Sequence, residues 1–289
     1  VAEGNLSAAS ATIAYPYAVD GVLLRVLEAG TGPDAIVLLH GVGARADRWR
    51  LNLGPLADAG FHVFAIDFPG HGFAAKSAAL PHGVPAYARL VRRFVEEIAP
   101  HDSVALIGTS LGGHVAATSA LADPDTFRGL VAVGPVGFRP LGEEARRRIA
   151  ASIADTSLDG IRRKLGFVLH RQELLTEEWV REEYRINNSP GAAAALGEIA
   201  RYFAEEIDDD VLSLDDQAAL LEAVPTLFVW GDADEVVPLS VALELERSLR
   251  TSVVRIRGAG HVPYYENPVD FNRRVIEFLR LQEREAVRR

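Results

Sequence analysis

The stretch that most constrains the fold is residues 103–121. There Val104-Ala-Leu-Ile107 runs into Gly108-Thr109-Ser110-Leu111-Gly112-Gly113 and then into His114-Val-Ala-Ala-Thr-Ser-Ala-Leu121. A short apolar run with Val and Ile reads as a buried strand, and an Ala-rich helical pattern follows it after one sharp turn. Gly108 and Gly112 stand two residues either side of Ser110, where a Cβ would collide as the chain reverses. The backbone can therefore hold the serine in a strained turn with its Oγ exposed. The same turn sets the N–H of Leu111 at a helix N-terminus, beside the point where negative charge would develop on a substrate oxygen. Residues 103–122 carry no Asp, Glu, Lys or Arg, as a membrane span would. Two adjacent glycines and the polar Thr109, Ser110 and His114 in the middle favour a central strand and helix of a soluble core instead.

At 289 residues, 48% hydrophobic and 24% charged, the chain can form one large α/β domain or a domain carrying an insertion. Its 30 basic and 40 acidic side chains leave a net charge of −10, which argues against nucleic acid or an anionic membrane surface as a partner. The absence of cysteine excludes disulfides, a thiol nucleophile and Cys-ligated metal, and fits a reducing compartment. No basic segment followed by a short apolar one opens the sequence, so a cytoplasmic location is expected.

Residues 1–10 are small and polar, and are expected to be loosely held. Strands are expected at 13–19 and 22–28, joined at Asp20-Gly21, and at 35–39, 61–66 and 129–134, with helices at 47–58 and 85–99. Between residues 139 and 218 the charge rises and helical spacing recurs at 143–154, 158–169, 176–184 and 192–207. The strand-helix alternation resumes at 225–230, 239–249, 252–256 and 268–283. The pattern predicts an α/β fold with a mostly parallel central sheet and helices on both faces. Its core would be built from residues 1–138 and 219–289, with residues 139–218 inserted as a helical cap, or lid. Arg162, Arg163 and Lys164 in that block are candidates to face a substrate carboxylate, although basic helix faces are commonly just solvated. Asp208-Asp209-Asp210 reads as a loop with no metal role.

The chemistry-bearing residues fall at strand ends. His40-Gly41-Val42-Gly43 follows the 35–39 strand, and its glycines let the backbone approach a ligand, with the Val42 N–H as a second oxyanion donor. His40 is expected to pack beneath that loop, and His71, in Asp67-Phe68-Pro69-Gly70-His71-Gly72, can be read as a second base or, at least as readily, as a structural histidine. A serine hydroxyl needs a base within hydrogen-bond reach and a third group to orient that base. His261, in a glycine-flanked loop after a late strand, and Asp234, in the loop after the strand before it, complete the order Ser, acid, His. Asp232 competes for the acid role but sits beside Gly231, where a turn function is the simpler reading.

These residues resemble the α/β-hydrolase superfamily over nearly the whole chain apart from the lid. The resemblance rests on His40 to Gly43, Asp67 to Gly72, Gly108 to Gly113, Trp230-Gly231 with Asp234 and Pro238, and Gly260-His261. It implies a Ser110–His261–Asp234 triad, an oxyanion hole from Val42 and Leu111, a small-molecule substrate, and no metal or organic cofactor. Gly41, Phe138, Val236 and Val262 are expected to line the substrate pocket. The nearest groups in the superfamily are small carboxylesterases and meta-cleavage-product C–C hydrolases. The C–C hydrolases place Asn before the nucleophile and Trp after the histidine, where this chain has Thr109 and Val262. The expected reaction is accordingly hydrolysis of a carboxylic ester of a small, largely apolar substrate through an acyl-enzyme. A C–C bond hydrolase acting on a meta-cleavage or β-diketone substrate is the alternative, and a triad-bearing binding or receptor module is a third reading.

Overall fold

The computed structural model describes residues 11–99 and 104–286, so the expectations for residues 1–10 and for Ser103 lie outside it. The chain opens with a hairpin of β1 (Thr12–Val19) and β2 (Val22–Ala29). Asp20 and Gly21 both take positive φ, 48° and 78°, the pair that a two-residue turn matching strand twist requires. Then come β3 (Asp34–Leu39), a 3₁₀ turn at Ala46–Trp49, α1 (Arg50–Asp58), β4 (Phe61–Ile66), α2 (Val84–Ile98), β5 (Val104–Thr109), α3 (Leu111–Ala122) and β6 (Phe127–Val133). A helical block follows, made of α4 (Glu143–Ala154), α5 (Leu158–Val168), α6 (Glu177–Asn187), α7 (Ala192–Glu205) and α8 (Leu214–Ala223). The chain ends with β7 (Thr226–Gly231), α9 (Leu239–Leu249), β8 (Val253–Ile256), α10 (Pro263–Glu266) and α11 (Pro268–Ala286).

The eight strands lie in the order β1-β2-β4-β3-β5-β6-β7-β8. β3 to β8 run parallel, and β1 and β2 join antiparallel at the β4 edge. Residues 35–39 of β3 and 104–107 of β5 are apolar at every position because both faces of the sheet are covered. Val37, Leu39 and Leu106 pack with Val91, Phe94 and Val115 of α2 and α3. Ile36, Leu38 and Ile107 pack on the opposite face with Leu53, Phe271 and Val275 of α1 and α11. This is the α/β fold expected from the sequence.

Strand order places the site. From β3 the chain steps outward to β4 and then returns to β5 on the other side of β3. The loops leaving β3 and β5 therefore diverge, opening a crevice at the carboxyl ends of the strands. Within the helical block, α4 packs on α7 and α5 on α6. The expected end of that block at residue 218 falls inside α8, whose start is fixed by a capping box between Ser213 and Asp216.

Candidate active site

Ser110 stands between β5 and α3 with φ 54° and ψ −118°, a left-handed conformation that costs a side-chain-bearing residue energy. The surroundings hold it there. Its N–H donates to the Val133 carbonyl at 3.0 Å, and its carbonyl accepts from Gly113 and His114 at 3.0 and 3.1 Å. A Cβ on Gly108 would lie 2.1 Å from the Gly112 carbonyl oxygen, and one on Gly112 would lie 2.4 Å from that of Leu39. Neither position admits a side chain, so the tight reversal and the glycines are one feature.

Gly41, after β3, packs against the Ser110 side chain closely enough that a Cβ there would come within 3.2 Å of the serine Cβ. His40 fixes the loop from below. The Phe68 N–H donates to its Nε2 at 3.0 Å, which leaves the proton on Nδ1 to donate to the Gly41 carbonyl at 2.8 Å. Burial pulls its pKa down to about 4, so the ring is neutral at ordinary pH. His71 is likewise buried and pulled down to about 3, in contact with His40.

His261 and Asp234 meet at the ends of the neighbouring strands. The His261 Nδ1 donates to Asp234 Oδ2 at 2.8 Å. Asp234 Oδ1 accepts the N–H groups of Val236 and Val237 at 2.8 and 3.0 Å, which locks the carboxylate plane. Asp232 instead accepts the Gly258 N–H at 2.8 Å and serves the turn. The His261 N–H donates to the carbonyl of Val168 at 3.0 Å, tying its loop to the end of α5. One residue here escaped the sequence reading. Gly134, after β6, has φ +46°, and a Cβ there would lie 3.0 Å from Asp234 Oδ2 and 3.3 Å from His261 Nδ1.

Ser110 and His261 open on one cavity of about 470 Å³, lined also by Gly41, Val42, Val236 and Val262. Leu111 is buried at the start of α3. Phe138, expected in the pocket, is instead packed edge-on against Phe228 in the core, outside the cavity lining. Its position after a strand suggested the pocket, but the chain turns at Gly137, with φ 86°, and the ring joins the core beside Phe228 of β7.

Arg163 and Lys164, candidates from the sequence to face a substrate carboxylate, do line the cavity, whereas Arg48 and Arg148 were not anticipated there. Arg48, Arg148, Arg163 and Lys164 line it, and no acidic side chain does among the described residues. Arg162, named with the last two, points elsewhere and pairs with Asp159 and Glu177, both at 2.8 Å. Arg48 is buried, lies 4.1 Å over the Trp179 ring and pairs with Glu183 of α6 at 3.0 Å. Glu183 also pairs with Arg45. A sequence signal for this network is absent, because Arg48 and Glu183 are brought together only by tertiary folding. The described residues contain no cluster of three or more His, Asp or Glu side chains arranged to hold a metal ion. None of their helices is long and apolar enough to cross a membrane.

The fold and this strand-turn-helix serine define a hydrolase class, and the sequence profile of the alpha/beta hydrolase fold matches residues 34–268. The chain belongs to the α/β-hydrolase family. Over 285 residues it is 30% identical to a 2-hydroxy-6-oxononadienedioate/2-hydroxy-6-oxononatrienedioate hydrolase of Burkholderia vietnamiensis strain G4, covering 94% of this chain and 96% of that protein. Among solved structures it is similar to a meta-cleavage product hydrolase from Pseudomonas fluorescens IP01. The TM-score is 0.80 at 25% identity, over 92% of this chain and 97% of that one. It is also similar to a membrane phospholipase A described as a bacterial virulence factor, with TM-score 0.80 at 26% identity over 94% and 87%.

The dienedioate hydrolases and the meta-cleavage product hydrolase overturn the expectation of a carboxylesterase acting on a small, largely apolar ester. The substrate named for the curated relatives is a ketone and a dicarboxylate with no ester group. The ester reading leaned on Thr109 and Val262, two cavity-lining residues beside the serine and histidine. Such residues shape a pocket without deciding which bond to the attacked carbonyl breaks.

Proposed function

We propose that this chain hydrolyses a carbon–carbon bond beside the ketone of a ring-fission type substrate, with Ser110 as nucleophile, His261 as base and then acid, and Asp234 orienting His261. The observation that carries the reading is the near full-length similarity to dienedioate hydrolases. The Asp234–His261 hydrogen bond at 2.8 Å and the cavity that His261 shares with Ser110 support the residue roles.

The steps follow from the groups present. With Asp234 accepting at Nδ1–H, the Nε2 of His261 is left free to take the Ser110 proton as Oγ adds to the ketone carbon. The Val42 and Leu111 N–H groups receive the oxyanion, the first from the loop that His40 braces and the second from the α3 N-terminus. Collapse breaks the C–C bond, and the electron pair leaves on carbon. A carbon leaving group is far more basic than an alkoxide, so the substrate must carry a conjugated carbonyl that spreads this pair as an enolate. His261 returns its proton to that fragment. Water, deprotonated by the same imidazole, then releases the acid from Ser110, and the net change is addition of one water across the bond. In this reading α4 to α8 act as the lid that keeps bulk water from the enolate.

The test is product analysis. Purified protein incubated with a 2-hydroxy-6-oxo-dienedioate should yield, by mass spectrometry, the two fragments whose masses sum to substrate plus water, and Ser110→Ala should yield neither. Recovery of unchanged substrate from the unmodified protein would overturn the proposal.

A further inference from the structure

Four cationic side chains line the cavity, and they are not equivalent. Arg48 is neutralised by Glu183 at 3.0 Å, and Arg163 by Asp155 at 2.8 Å. Arg148 of α4 and Lys164 of α5 have no hydrogen-bond or ion-pair partner among the described residues. Lys164 is also partly withdrawn from water, and burial holds its pKa below the ordinary lysine range, with Asp155 and Glu183 acting on it only at a distance. Half-buried and unpaired in a cavity walled by Ile149, Ile153, Phe167 and Val168, the Lys164 charge is costly and an anion in the cavity offsets that cost, while the water-exposed Arg148 adds a second cation to the same lining.

We propose that Lys164 and Arg148 form a carboxylate subsite, recognising a substrate acid group on the part of the molecule that reaches α4 and α5. This rests on the reading of the cavity as the substrate site. The ligand class it selects is a chain with an apolar middle and an anionic end. The floor formed by Gly41, Ser110 and His261 takes the reacting ketone. The apolar residues of α4 and α5 hold the chain, and the two cations hold the acid. Specificity follows from pairing. A neutral analogue leaves the half-buried Lys164 without a partner, whereas an acid satisfies it and Arg148 with charge-assisted hydrogen bonds.

The test is calorimetric binding of nonanoate and of its neutral counterpart 2-nonanone to the unmodified protein, Lys164→Met, Arg148→Gln and Arg162→Gln, the last on α5 but paired outside the cavity. The nonanoate Kd should rise about tenfold in each of the first two variants and stay unchanged in Arg162→Gln, with 2-nonanone unmoved throughout. Unchanged nonanoate binding in both cavity variants, or equal loss for acid and ketone, would overturn the subsite. Turnover of the ring-fission ketone, measured on the same preparations, separates this from the proposed reaction. Charge-dependent nonanoate binding without C–C cleavage sustains the subsite and removes the reaction, and cleavage with charge-independent binding does the reverse.

Discussion

Asp234→Asn tests the arrangement of the site most sharply, because the structure dictates how the new amide must sit. Oδ1 accepts two backbone N–H groups, from Val236 at 2.8 Å and Val237 at 3.0 Å, while Oδ2 faces the His261 Nδ1 at 2.8 Å. In the variant the amide oxygen must stay with the two donors, since an NH₂ there would meet N–H head-on. The NH₂ then points at Nδ1 and donates to it, so the imidazole proton moves to Nε2, the nitrogen that has to take the Ser110 proton. The fold keeps its hydrogen bonds while the base is lost. A wrong-tautomer substitution of this kind costs about 10⁴ in kcat, or about 5.5 kcal/mol of transition-state stabilisation. Steady-state turnover with thermal unfolding reads the rate, and ring-nitrogen NMR reads the tautomer. A variant within about tenfold of the unmodified rate would refute the reasoning. So would an Asp232→Asn variant that lost turnover instead, since that side chain only holds Gly258.

Gly134→Ala should place a methyl 3.0 Å from the Asp234 carboxylate at a positive-φ position, costing about 1–2 kcal/mol in denaturant melts and a larger share of kcat than of KM. Glu183→Gln should leave the buried Arg48 without its anion and lower stability to urea by about 3 kcal/mol, Arg45 keeping Asp47 and Glu182 as partners. His114, buried on α3 with its Nε2 donating to the Asp210 carbonyl at 2.8 Å, has its pKa pulled down by burial to about 4. The unfolded chain therefore binds the extra proton first as pH falls through about 6.5, so His114 weakens the fold progressively down to about pH 4 and has no such effect above about 6.5. Tm measured across that window should fall less steeply in His114→Gln than in the unmodified protein.

The strands and the serine turn were legible because their causes are local. Ile36 to Leu39 and Val104 to Ile107 are apolar at every position since the sheet is covered on both faces, and Gly108 and Gly112 are required by backbone atoms only a few residues away or on the adjoining strand end. The pairing of Asp234 with His261 was readable from order and loop position. Gly134 was not, because its neighbours arrive from β7 and β8 loops a hundred residues on. Nor was the Arg48–Glu183 pair, which joins the 3₁₀ turn to α6. α8 carried a readable Ser213-to-Asp216 cap that the boundary at residue 218 overlooked. The reaction itself was misread because residues 109 and 262 were given a weight that belongs to the whole lining. There, unpaired cations on α4 and α5 point away from a wholly apolar ester.

The most direct measurement of the central claim is the ratio of kcat/KM for a 2-hydroxy-6-oxo-dienedioate to that for a short aryl ester, taken on one preparation with Ser110→Ala as the blank. The account predicts a ratio well above one, with both activities absent in the blank. Rapid ester hydrolysis beside an untouched ketone, or ketone cleavage that persists without the serine, would contradict it.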